Sequence, residues 1–293
     1  MPLTKRHATP SIALALGGGG ARGLAHIVVL EALDELGIAP AMISGTSMGA
    51  IVGAAYAAGV SGADLRRHVL ALTRQRGELM GRLMKARVGR FADLLTGQFG
   101  NPVLIDAELF LDLFWPDAVP DTFEELAIPF IAVATDFITR GEAAFDSGPL
   151  APAVAGSMAI PGLIKPVVAG QRVLIDGGAV NPLPCDLLFG HADIVVACDV
   201  TFGRLAEGRG PAAEGRGVPK PFEAMFGAAQ IMQGAITSAK LKLRAPDVLL
   251  RPPVEAWRVL DFFQAGKILR AAEAAKDAFK REIVRDVAAR ERA

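Results

Sequence analysis

The chain has 293 residues, 52% of them hydrophobic and 21% charged, with 31 Lys and Arg balancing 31 Asp and Glu. That size fits one large α/β domain or two small ones, and the balance fits a sizeable, mostly aliphatic core and excludes general disorder. A formal net charge of zero gives no long-range attraction to nucleic acid, so no such partner is expected.

Cys185 and Cys198, the only cysteines, offer neither a disulfide framework nor a metal site and point to a reducing, cytoplasmic compartment. Lys5, Arg6 and His7 precede an apolar run, but Ile12 to Leu16 is shorter than the apolar region of a signal peptide, so no cleaved signal is expected. The longest apolar stretch, Met48 to Val60, has 13 residues, short of the roughly 20 that cross a bilayer.

In chain order, Ser11 to Leu16 reads as a buried strand ended by glycines. From Arg22 to Leu36 apolar residues recur at helical spacing, with Glu31, Asp34 and Glu35 on the other face and Gly37 as the stop. Ala41 to Ser44 is a second short strand, and Met48 to Ala58 a helix buried nearly all round. This βαβα opening implies a parallel sheet whose functional turns lie at the carboxyl ends of the strands. Gly62 to Arg76 reads as a helix. Beyond it Met80, Met84, Val88, Phe91 and Leu95 fall on one helical stripe, in a region where residues 64–93 carry eight Arg and Lys against three acids.

Asp106 to Trp115 reads as a short helix, Pro129 to Thr135 and Ala143 to Asp146 as strands, and Leu150 to Met158 as a helix. Val173 to Ile175 is a strand entering Asp176-Gly177-Gly178, and Asp193 to Val200 another. Residues 203–221, rich in Gly, Pro and charge without a period, read as a flexible loop. Phe222 to Leu243 is helical, Val248 to Leu250 a last strand, and Asp261 to Arg292 one long helix with Phe279, Ile283 and Val287 on its buried stripe. One domain over 1–293 is expected, with a basic helical insertion or cap at about 64–100.

Gly45-Thr46-Ser47-Met48-Gly49 places a serine between two glycines at a strand-to-helix turn. That is the layout of a nucleophile elbow, with Gly45 and Gly49 allowing the tight turn; a serine that merely caps the helix fits the same pattern. The upstream run Gly18-Gly19-Gly20-Ala21-Arg22-Gly23 also satisfies a dinucleotide-binding fingerprint. Such a site requires an acid near the end of the second strand, and residues 38–45 contain none. A phosphate-binding P-loop fails as well, because Leu24 stands where lysine is needed. The remaining use for these N–H groups is an oxyanion hole: Gly19 and Gly20, with Ala21 or Arg22 contributing. Arg22 itself reads as a loop-fixing residue, a phosphate contact or a surface arginine.

A base is then required, and no histidine is well placed. His7 lies in the N-terminal tail, His26 on a helix as a packed or capping residue, and His68 on a basic helix. His191 precedes a strand, at the wrong edge of a parallel sheet, although an α/β-hydrolase-type esterase using His191 is a competing reading. Asp176 ends a strand with Gly177 and Gly178 clearing space around it, and burial would raise its pKa from about 4 toward a useful value. A strand-end Asp-Gly is also a common turn opener.

Taken together and in this order, Gly18–Gly23, Gly45-Thr46-Ser47-Met48-Gly49 and Asp176-Gly177-Gly178 resemble the patatin-like phospholipase family. The resemblance extends through Gly17–Leu36, Ala159-Ile160-Pro161-Gly162 and Asn181-Pro182-Leu183-Pro184, with Gly17 standing where plant patatins have Asp. It implies a three-layer α/β/α sandwich with a central, mostly parallel sheet, and hydrolysis of lipid acyl esters by a Ser–Asp dyad. Carried over, Ser47 is the nucleophile, Asp176 the proton acceptor and Gly18, Gly19, Gly20, Ala21, Arg22 and Gly23 the oxyanion loop. No cofactor or metal is implied.

The resemblance leaves the ester class open: phospholipid, lysophospholipid or simple ester. A nucleotide- or lipid-binding module without turnover is the reading outside enzyme chemistry. Asp136 and Asp199 read as turn or capping residues, and Cys185 and Cys198 as packed thiols. The stripe with Arg82, Lys85, Arg87 and Arg90 reads either as an interfacial helix in peripheral contact with a membrane or as a cap helix with a solvated basic face.

Overall fold

The protein is described by a computed structural model, covering residues 9–74, 104–201 and 221–292, with residues 77, 81, 87, 88 and 218 besides. Strand β1 (Ile12–Leu16) leads through a 3-10 turn, Gly20–Ala25, into helix α1 (His26–Leu36), which Gly37 stops in the left-handed conformation. Strand β2 (Met42–Thr46) delivers Ser47 to the start of helix α2 (Met48–Ala57), and α3 (Gly62–Arg74) follows. A two-residue strand β3 (Arg87–Val88) pairs antiparallel with β4 (Leu104–Ile105). Helix α4 (Ala107–Phe114) is capped by the Asp106 carboxylate, which accepts the N–H groups of Glu108 and Leu109.

Strand β5 (Phe130–Asp136) turns back as β6 (Gly141–Phe145), and helix α5 (Leu150–Ser157) follows. The hairpin of β7 (Val167–Ala169) and β8 (Arg172–Asp176) comes next, then β9 (Ile194–Cys198). The chain ends with helix α6 (Pro221–Leu243), strand β10 (Val248–Leu250), and helices α7 (Ala265–Glu273) and α8 (Lys276–Glu291).

The sheet runs β10-β9-β1-β2-β5-β8-β7, with β6 also on β5. Pairs from β10 to β5 are parallel, whereas β6 and β8 run antiparallel to β5 and β7 antiparallel to β8. Side-chain alternation divides the core between the two faces. Ile12, Leu14 and Leu16 join the large aliphatic core with residues of α1, α2, α5, α7 and α8. Ala13 and Ala15 point the other way, onto Leu183, Cys185 and Leu188, with Leu241 of α6 packed against them. The fold is therefore an α/β sandwich about a mostly parallel sheet, as expected, with a thinner layer on the second face.

One feature of the pairing fixes the site. Strand β6 occupies one edge of β5 continuously from Ala132 to Asp136. Strand β2 pairs with Phe130–Val133 and β8 with Ala134–Asp136, and a strand has only two edges, so β2 and β8 share the other one. They meet end to end: Thr46 is in register with Val133, and Asp176 with the next residue, Ala134. Asp176 thus reaches the site from a strand opposed in direction to β2, not from the carboxyl end of another parallel strand.

Two further expectations change. The segment read as one helix over 261–292 is a 3-10 turn and two helices, α7 and α8, separated at Ala274 and Ala275. A charge cluster holds that break against the rest of the domain: the Lys276 ammonium lies 3.1 Å from Glu31, 2.8 Å from Glu35 and 3.0 Å from Glu273, and Arg66 of α3 joins Glu31 to Glu273. Val88 lies in a strand and not on a helical stripe. Arg82, Lys85 and Arg90, with the rest of that stripe, and residues 203–217 of the loop lie outside the described residues. No helix among the described residues is long and apolar enough to cross a membrane.

Candidate active site

Ser47 sits at the junction of β2 and α2 with φ 54° and ψ −119°, a conformation disfavoured for a residue with a side chain and characteristic of a nucleophile elbow. Close packing holds it there. A Cβ on Gly49 would come 2.1 Å from the Leu16 carbonyl oxygen, and one on Gly45 would come 2.5 Å from the Gly49 carbonyl oxygen. Only glycine lets α2 start this close to β1 and β2. The Ser47 N–H donates to the Ser157 hydroxyl at 2.8 Å, and Ser157 in turn donates to the Val133 carbonyl. Thr46 is tied by its hydroxyl to the Asn181 carbonyl at 2.8 Å.

The Ser47 hydroxyl donates to Asp176 Oδ2 at 2.7 Å, and both residues are buried. The other carboxylate oxygen, Oδ1, accepts the Gly178 N–H at 2.7 Å. Around them, the Asp176 N–H donates to the Ala159 carbonyl at 3.0 Å and the Thr135 hydroxyl to the Asp176 carbonyl at 2.9 Å. Burial pushes the Asp176 carboxyl up to about 6, against the opposing pull of its hydrogen bonds from Ser47 and Gly178. An aspartate so placed is ionised at neutral pH yet basic enough to take a proton.

The glycine turn also borders Ser47, a Cβ on Gly18 coming within 3.4 Å of the Ser47 Cβ. Gly18 N–H is committed to the Pro182 carbonyl at 2.9 Å and Ala21 N–H to the Val259 carbonyl at 2.7 Å. Gly19 and Gly20 have no backbone acceptor for their N–H groups among the described residues, and both line the cavity over Ser47. Gly20 takes φ +55°, and a Cβ there would meet Val259 at 2.4 Å, so the turn admits no side chain. Of the expected donors, Gly18 and Ala21 are thus committed elsewhere, whereas Gly19 and Gly20 keep N–H groups available beside the cavity. Arg22 is not a surface arginine. It is buried, donates from Nη2 to Gln230 Oε1 of α6 at 3.1 Å, and is lowered in pKa by burial while Asp199 opposes the shift.

An apolar cavity of about 480 Å³ opens over these groups, bounded by Gly18, Gly19, Gly20, Ser47, Asp176 and Ile160 on one side and by α6 on the other. Helix α6 contributes Met225, Phe226, Ala229, Gln230, Gln233 and Ile236. A second, narrower cleft of about 40 Å³ shares Gly20, Ser47 and Ile160 with the first and runs between Ile51, Phe110, Met158 and Phe262. Ile160 thus stands at the boundary of the two.

The remaining candidates do not gather here. His191 precedes β9, whose first residue, Ile194, pairs with Ile12 at the amino end of β1. That edge is opposite the one where Ser47 sits, which removes the arrangement with His191 as base. His26 lies beneath the glycine turn, with Nε2 2.7 Å from the Gly17 carbonyl; burial lowers it to about 4, so it is a neutral donor at physiological pH. His68 reaches the Phe114 carbonyl. Asp136 accepts N–H groups of its own turn, and Asp199 accepts the N–H and the hydroxyl of Thr201. No group of three or more metal-ligating side chains occurs among the described residues. Sequence reading missed Ser157, whose one signal is a lone hydroxyl at the end of an alanine-rich helix, and missed that α6 forms a wall of the cavity.

The Patatin-like phospholipase family model matches residues 14–189. An uncharacterized NTE family protein of Mycobacterium tuberculosis is 40% identical over 190 residues, covering 64% of this chain and 49% of that protein. Lysophospholipase NTE1 of Mycosarcoma maydis is 36% identical over 203 residues, covering 68% of this chain and 10% of its own. Among solved structures, VipD from Legionella pneumophila aligns with a TM-score of 0.45 and 14% identity, over 93% of this chain and 67% of that one. The chain spans about half the length of the mycobacterial relative.

Proposed function

The chain belongs to the patatin-like phospholipase family, and on that premise we propose that it is a serine hydrolase of lipid acyl esters working through a Ser47–Asp176 dyad. The observation that carries this reading is the 2.7 Å hydrogen bond from the Ser47 hydroxyl to the buried Asp176 carboxylate. Asp176 takes the Ser47 proton as Ser47 Oγ attacks the ester carbonyl. The N–H groups of Gly19 and Gly20 receive the resulting oxyanion, assisted by the positive end of the helical turn that follows. Collapse of the tetrahedral intermediate breaks the bond to the leaving alcohol, which collects the proton from Asp176 and leaves an acyl-enzyme. Asp176 then deprotonates water, the water oxygen attacks the acyl carbon, and Ser47 regains its proton as the fatty acid departs. Gly178 holds the second carboxylate oxygen so that Oδ2 stays aimed at Ser47 throughout.

The cavity supports a lipid substrate. Its volume is about 480 Å³, within the range of roughly 300–1,000 Å³ usual for small-molecule sites, and its lining is mostly apolar, with Ile160, Met225, Phe226, Met232, Ile236 and Val259 beside the two amides Gln230 and Gln233. Phospholipids, lysophospholipids and simple esters all present the same acyl ester to Ser47. Ser47→Ala and Asp176→Asn should each lose hydrolysis of phosphatidylcholine, lysophosphatidylcholine and p-nitrophenyl esters while circular dichroism stays unchanged. Full activity in Asp176→Asn would rule the dyad out, and no hydrolysis of any ester by the native chain would leave a binding module.

A further inference from the structure

Helix α6 forms a wall of the cavity and also faces outward, and its outer face lacks what a solvent-facing helix normally carries. Residues 224–239 include no charged side chain over sixteen positions, whereas an ordinary surface helix is charged or polar on the side away from the core. The exposed positions within this stretch are Ala224, Met225, Ala228, Ile231, Met232, Ala235, Ser238 and Ala239, apolar but for one serine. The largest are well exposed, with Ile231 at 74%, Met232 at 59% and Met225 at 47%. Lys242 and Leu243 extend the same face at its C-terminal end, where Leu243 is also exposed. Met225 and Met232 line the cavity as well, so the apolar face and the rim over Ser47 are continuous.

We propose that the outer face of α6 is a lipid-surface docking site, which seats the rim of the cavity against the layer from which substrate is drawn. This rests on the lipid-hydrolase reading above for the choice of partner. A second copy of the chain is the weaker fit. A helix of 23 residues is about 34 Å long and ~10 Å wide, so one face offers roughly 340 Å², against about 800 Å² per partner in a stable protein interface. A lipid surface needs no matching partner surface and accepts a flat aliphatic stripe with a lysine at one end, where the ammonium meets headgroup phosphate. Because the face is uncharged over residues 224–239, attraction through it is mainly apolar and only weakly sensitive to salt, which separates it from any contact made by the basic stretch at about 64–100.

The test uses the full chain in a Ser47→Ala background, so that vesicle lipid is not consumed and binding is read apart from chemistry. Flotation with phosphatidylcholine vesicles should recover the parent protein at both low and high salt. Ile231→Glu with Ala235→Glu, both outside the cavity lining, should lower partition by at least about tenfold. In the Ser47 protein the same two substitutions should leave p-nitrophenyl butyrate hydrolysis within about twofold while vesicle lipid hydrolysis falls with binding. Equal partition of the parent and the double variant, or no partition of the parent, would overturn the proposal. So would sedimentation equilibrium showing a dimer that Ile231→Glu dissociates, which would assign the face to a second copy. Failure of the ester assay alone bears on the dyad and leaves the binding result to stand by itself.

Discussion

The N–H of Ser47 donates to the hydroxyl of Ser157 at 2.8 Å, and that hydroxyl spends its own hydrogen on the Val133 carbonyl. One buried serine therefore links the elbow to β5, the strand along which Ser47 and Asp176 are brought together. Ser157→Ala would orphan a buried N–H and leave a buried carbonyl unpaired, at a cost of about 1–3 kcal/mol for each group. It would also free the elbow to shift, and small displacements of a reacting group cost up to about a hundredfold in rate. The expected result is a kcat lowered about 10–100-fold on p-nitrophenyl esters with KM little changed, and a lowered Tm. Ser157→Thr, which keeps the hydroxyl, should recover most of the rate; equal loss in both variants would point to packing alone.

Asp176 makes both activity and stability depend on pH. As the base it must be ionised, so kcat/KM should rise with pH through about 6 and then level off. For stability, its folded pKa lies above the ordinary aspartate value, so the folded state holds the proton that the unfolded state has lost. The favourable contribution is full below the unfolded pKa of about 4 and is lost as pH rises through about 6. Asn in place of Asp176 can still accept from Gly178 and can donate to Ser47, and it never bears the buried charge. Asp176→Asn should therefore be more stable than the native protein at pH 8, with the gap closing toward pH 4. His26, lowered to about 4, has the opposite slope, with a contribution complete above about 6.5 and lost as pH falls. It is common to both proteins and drops out of the difference. Denaturant titrations of the pair at several pH values check the sign.

Ile160 separates the large cavity from the narrow cleft. Ile160→Ala should join them and lengthen the space next to Ser47, and each methylene gained in an apolar pocket is worth about 10-fold or more in discrimination. The ratio of kcat/KM for decanoyl over butyryl p-nitrophenyl esters should rise accordingly, and Ile160→Phe should lower it. An unchanged ratio in both variants would mean that the acyl chain lies elsewhere.

The first half of the fold was readable because its punctuation is strong: apolar runs of five residues, as in Ile12–Leu16, ended by glycines. The same glycines marked the turns that carry Ser47 and the candidate oxyanion donors. What could not be read was how Asp176 arrives. Its direction is set by the hairpin with β7, three residues long and with Val168 exposed, too short for any alternation pattern to register. The division of the C-terminal helix at Ala274 and Ala275 also carries no local signal, since alanine favours a helix; tertiary ion pairs from Lys276 to Glu31 and Glu35 hold it. The sequence leaves Arg22 open between fixing the loop, facing a phosphate and lying on the surface, and only the placement of α6 over it, with Gln230 as acceptor, shows it buried.

The dyad itself is tested by the rate at which a fluorophosphonate labels the protein, followed by peptide mapping of the modified residue. Labelling should fall on Ser47 in the native chain and slow by about a hundredfold or more in Asp176→Asn, the usual contribution of a positioned general base. Equal labelling rates in the two proteins, or modification of a residue other than Ser47, would contradict it.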